Sequence, residues 1–114
     1  MFLDKVLGKL FPSKKVTLWR LEIIDADRDL VAHWIREYFQ ERATNETKDT
    51  IIDEENGVYQ HYFETSNNRL IFETNQPLNQ IDPFFLTTLK TLEALGDILI
   101  YKVKVRVPAG DNNG

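Results

Sequence analysis

Apolar residues recur at helical spacing in the first stretch of the chain, MFLDKVLGKLFPSKK. Phe2, Leu3, Val6, Leu7, Leu10 and Phe11 share one stripe, and Lys5, Lys9, Lys14 and Lys15 fall off it. This pattern predicts a basic amphipathic helix over residues 1–13, stopped by Pro12 and Ser13 because proline cannot continue a helix. The period then changes to two: VTLWRLEII sets Thr17, Trp19, Leu21 and Ile23 on one face and Val16, Leu18, Arg20, Glu22 and Ile24 on the other, which is a strand. A second helical stripe, Leu30, Val31, Trp34, Ile35, Tyr38 and Phe39, predicts a helix from about Asp27 to Arg42.

Three short extended segments follow, at 47–53, 58–65 and 69–74. The turns between them, Glu55-Asn56-Gly57 and Ser66-Asn67-Asn68, use residues that tolerate positive φ, so the three read as an antiparallel meander. Asp82-Pro83 signals a helix start and Gly96 its end, with Phe85, Leu86, Leu89, Leu92 and Leu95 as its apolar stripe. A final strand is expected over 97–107, stopped by Pro108, with 108–114 as a disordered tail.

The order βαβββαβ predicts one α+β domain over residues 16–107. Its ferredoxin-like antiparallel sheet would carry two helices on one face and follow the N-terminal amphipathic helix. On this reading Val16 and Leu18 from the first strand and Ile98 and Ile100 from the last look away from the helices. That second face is then too apolar to meet water and needs a cover. The N-terminal stripe, a second subunit or another protein would each serve.

The 114 residues suffice for one core, and no run approaches the ~20 apolar residues of a membrane-spanning helix. Asp4, Lys5 and Lys9 interrupt the run a signal peptide would need, so a cytoplasmic location is expected. Net charge is −4, distributed unevenly: residues 1–20 hold five cations and one anion, whereas residues 21–100 hold six cations and sixteen anions. Such an acidic body repels phosphate backbones, which argues against nucleic acid as a partner. The basic end suits an anionic membrane surface, with Lys5, Lys9, Lys14 and Lys15 meeting head groups. The same lysines equally suit the wet side of a packed helix.

No residue pattern selects a reaction. Asp25, Asp27 and Asp29 imitate a calcium loop, but Leu30 stands where the loop needs glycine and Arg36 where it needs a bidentate glutamate, so they read as acids at a helix start. The two histidines, His33 and His61, have no partner at metal-ligand spacing, cysteine is absent, and the five glycines form no phosphate loop. No catalytic residue, cofactor or metal is therefore assigned, and the chain is expected not to be an enzyme. VYQHYFET does not follow the aromatic pattern of an RNA-recognition sheet.

One segment resembles a known family. Residues 68–103, NRLIFETNQPLNQIDPFFLTTLKTLEALGDILIYKV, run strand, DP, leucines at helical spacing, glycine, strand. They resemble the ferredoxin-like docking modules of chemotaxis-type histidine kinases. The resemblance implies protein docking, and the chain lacks phosphotransfer residues at the matching places. The resulting expectation is a non-enzymatic interaction domain. It would form a homo-oligomer or dock on a protein through Val16, Leu18, Ile98 and Ile100, with the N-terminal stripe as lid or contact. The alternatives are peripheral membrane attachment at the inner face of the membrane, an acidic inhibitor that mimics nucleic acid, and a small ligand-binding protein.

Overall fold

A computed structural model describes residues 15–43, 48–81 and 83–106. Five strands and three helices follow in the order β1 (Lys15–Ile23), α1 (Leu30–Arg42), β2 (Thr50–Asp53), β3 (Val58–Glu64), β4 (Leu70–Thr74), α2 (Leu78–Ile81), α3 (Pro83–Leu95) and β5 (Ile98–Arg106). The predicted helix over residues 1–13, with Phe2, Leu3, Lys5, Val6, Leu7, Lys9, Leu10, Phe11 and Lys14 near it, lies outside the described residues, as does the tail from 107.

Local chemistry accounts for the element ends. Asp29 caps α1, its Oδ1 accepting the Val31 N–H at 2.8 Å, so the helix starts three residues later than the acids at 25–29 suggested. Ala26–Arg28 form a turn instead, with Arg28 N–H donating to the Asp25 carbonyl at 3.3 Å. At the far end of α3, Gly96 adopts φ +82°, Asp97 N–H reaches the Leu92 carbonyl at 3.0 Å and Gly96 N–H the Glu93 carbonyl at 3.1 Å. This double closure satisfies the last carbonyls of the helix and needs a left-handed residue at 96.

The sheet order is β2-β3-β4-β1-β5, and all four neighbouring pairs are antiparallel. β4 and β5 both run opposite to β1 between them, so β4, the helices and β5 form a split βαβ unit. The connection through α1 differs. Three reversals separate β1 from β2, so α1 joins strands of opposite direction. The α+β antiparallel sheet is as expected, but in the first half the added meander strand reverses the strand directions a ferredoxin-like topology requires.

α1, α2 and α3 supply one layer. Val31, Ala32, Ile35 and Phe39 of α1, Leu78 of α2, and Phe85 and Leu89 of α3 close over Leu21, Ile23, Leu70, Phe72 and Ile98, all buried in one core. Trp34 stacks between Tyr38 and Phe85, with ring centroids 4.9 and 4.4 Å away. Leu30 and Leu95, both placed on apolar stripes by periodicity, are 83% and 69% exposed because they fall at the helix ends, beyond the reach of the sheet.

The register corrects one assignment. Leu21 pairs with Ile100 and Ile23 with Ile98, so both isoleucines face the helices and not the second face, where the sequence had put them. Period two fixes which residues of β5 share a face, but only the pairing to β1 decides which face that is.

Candidate functional site

The face opposite the helices carries Val16, Leu18, Arg20 and Glu22 of β1, Leu99, Tyr101 and Val103 of β5, Ile71 and Glu73 of β4, Tyr59, His61 and Phe63 of β3, and Thr50 and Ile52 of β2. Its organisation follows from register. Thr50, His61, Glu73, Arg20 and Tyr101 are successive cross-strand partners, one from each strand, and form a polar row across the whole sheet.

Side-chain contacts follow this row. Arg20 Nε donates to Glu73 Oε2 at 2.7 Å, and the Arg20 guanidinium lies 5.9 Å from the Tyr101 ring centroid. Burial is the largest single influence on Arg20 and lowers its pKa, but the hydrogen bonds and charges of Glu73 and Tyr101 together outweigh it and hold the guanidinium above its ordinary value. Thr50 Oγ1 donates to Asp49 Oδ1 at 2.9 Å and lies 3.0 Å from His61 Nδ1. Thr50 is fully enclosed. The row thus holds Thr50 in contact with His61 towards one edge of the sheet and Arg20 in contact with Glu73 nearer the other.

The two sides of this row differ. On the side where β1 begins, Leu18 and Tyr59 have no exposed surface and Val16 has 6%. The Tyr59 hydroxyl has no hydrogen-bond partner among the described residues, and burial first, then the charges of Glu73 and Asp49, push its pKa far above the usual tyrosine value. On the other side Phe63, Leu99, Tyr101 and Ile24 are 39, 45, 37 and 37% exposed. Between them Glu22 is ion-paired with Arg69 and accepts the Tyr101 hydroxyl at 3.3 Å.

Of the residues the sequence singled out for contact, Val16 and Leu18 do lie on this face but are enclosed, while Ile98 and Ile100 lie in the helix-side core. Lys15 opens β1, paired with Arg106. Sequence reasoning missed Phe63, Leu99 and Tyr101 as exposed residues of this face. Their alternation was visible, but the register that turns them outward was not. Asp25, Asp29 and Asp97 line a hollow of about 240 Å3 beside Ile24, and two of its carboxylates serve the fold: Asp29 caps α1 and Asp25 accepts from Asn68 Nδ2 at 3.1 Å.

Fold and surface together define a small α+β domain with a five-stranded antiparallel sheet, helices on one face and a mixed apolar and polar opposite face. Comparison with protein-family models, curated proteins and solved structures finds no match. Among the described residues no helix is long and apolar enough to cross a membrane.

Proposed function

We propose that the chain is a non-enzymatic interaction domain that self-associates through the exposed end of its second sheet face. The observation that carries this reading is the grouping of Leu99, Tyr101, Ile24 and Phe63, each more than a third exposed, around the Glu22–Arg69 ion pair. Large apolar residues gathered on one face of a sheet gain free energy when covered, and aromatic residues supply much of the energy of protein interfaces.

A second copy is the occupant that suits this patch. A molecule of net charge −4 repels its own kind wherever acids meet, but here the one carboxylate at the centre is neutralised within the chain. Two patches can therefore meet about a two-fold axis without opposing like charges. Val16 and Leu18 lie enclosed at the other end of the same face and are not contacts of this patch. The membrane reading rests on Lys5, Lys9, Lys14 and Lys15 and on the stripe beside them, and the described residues add nothing in its favour.

Sedimentation velocity over a wide concentration range tests the proposal. The natural chain is expected to show a concentration-dependent dimer, and Leu99→Glu to remain monomeric with the same circular dichroism. A natural chain that stays monomeric throughout, or a Leu99→Glu chain that dimerises as before, would overturn it.

A further inference from the structure

The second sheet face is buried where no described helix lies. α1, α2 and α3 all pack into the core on the opposite side, yet Leu18 and Tyr59 have no exposed surface and Val16 has 6%. These residues are not scattered. They form a band at the end of the sheet where β1 begins, with Val16 and Leu18 on β1 and Tyr59 on β3, flanked by the half-buried Val103 on β5 and Ile52 on β2. A band crossing the strands, enclosed at its centre and half-open at its ends, is the footprint of one rod-like element laid across the sheet.

We propose that the occupant of this band is the chain's own residues 1–14, seated by Phe2, Leu3, Val6, Leu7, Leu10 and Phe11. Connection, length and complementarity select this occupant. First, connection: the segment leads directly into Lys15, the first residue of β1, and its sequence carries the helix breaker Pro12 just before that strand. Second, length: ten helical residues from Phe2 to Phe11 extend about 15 Å at 1.5 Å per residue. Strands lie about 4.8 Å apart, so this covers the three spacings from β5 across β1 and β4 to β3. Third, complementarity: the apolar stripe meets Val16, Leu18, Tyr59 and Val103, while Lys5 and Lys9 point away from it on a body whose residues 21–100 carry six cations against sixteen anions.

One consequence concerns membranes. The same stripe cannot lie on the sheet and in an acyl layer at once, so any attachment through residues 1–14 requires their release, which would bare Leu18 and Val16. The seated segment is thus the resting state. This inference does not depend on self-association through Leu99 and Phe63, which lie beyond the polar row from the band.

The chain has no cysteine, so single cysteines can be placed cleanly. In the full chain, Val6→Cys and Leu10→Cys are expected to react with a maleimide about tenfold or more slowly than Lys5→Cys and Lys9→Cys, with the ratio unchanged on dilution. Equal rates at all four positions would overturn the proposal. Protection that disappears on dilution would also overturn it, by assigning the cover to a second copy. A measurement that leaves the stripe intact is available from a nitroxide on Lys9→Cys. It should broaden the amide resonances of Leu18 and Tyr59 and spare those of Val31 and Leu89 on the helix side; full intensity at Leu18 and Tyr59 would contradict it.

Discussion

Arg20 and Glu73 are direct cross-strand partners in the middle of the sheet. Arg20 Nε donates to Glu73 Oε2 at 2.7 Å, and the glutamate side chain retains only 3% exposure. Because the arginine keeps 31% of its side chain in water, it carries much less of the desolvation cost than the carboxylate does. Removing the arginine leaves a buried carboxylate without its strongest partner, whereas removing both leaves an apolar gap on an already apolar face.

Arg20→Met alone is therefore expected to lower stability by about 3 kcal/mol, and the double change Arg20→Met with Glu73→Leu to return to within about 1 kcal/mol of the natural chain. Urea unfolding of the two single variants and the double variant measures this. A double variant as weak as Arg20→Met would show that the pair stabilises the fold beyond mutual compensation.

Tyr59 offers a different test. Its buried hydroxyl lacks a partner among the described residues, so Tyr59→Phe removes a desolvated polar group and is expected to raise stability by about 1 kcal/mol near neutral pH. The pH dependence has a definite sign. The folded-state pKa is raised above the unfolded value of about 10, so the natural chain keeps its full stability below that pH and loses it as pH rises beyond, where only the unfolded chain ionises. The phenylalanine variant should show a shallower alkaline decline, checked by unfolding series between neutral and strongly alkaline pH.

At the other extreme of pH the ion pair between Arg36 and Glu64 matters. Arg36 Nη2 donates to Glu64 Oε1 at 2.6 Å and Nε to Oε2 at 3.1 Å, and this two-point contact lowers the Glu64 pKa and raises that of Arg36. The pair's contribution is present above the ordinary glutamate pKa and is lost as pH falls through the depressed folded value. Glu64→Gln should accordingly be less stable than the natural chain at neutral pH and equal to it at the acid end. A difference that persists unchanged into acid would show that the carboxylate charge is not the source.

Much of the architecture was legible because punctuation and period agree. Gly57 and Asn68 take φ values of +67° and +65° at the turns their residue types signalled, and Gly96 ends α3. The short α2 was missed because one helical turn, Leu78–Ile81, leaves no periodicity to read. The site was less legible than the fold. Alternation in β1 and β5 separates two sets of side chains in each strand, but Arg20 meeting Glu73 across 53 residues, and Leu99 sharing a face with Glu22, depend on which strands pair and in which register. Nothing local to either strand encodes that choice; it follows from the burial of Leu21, Phe72 and Ile100 on a common side.

Self-association through the exposed end of the second face is tested most directly by amide spectra of the natural chain over a dilution series. The account predicts concentration-dependent shifts at Ile24, Phe63, Leu99 and Tyr101, with Val31, Ile35 and Leu89 on the helix side unmoved. Spectra identical at every concentration, or shifts confined to the helix side, would contradict it.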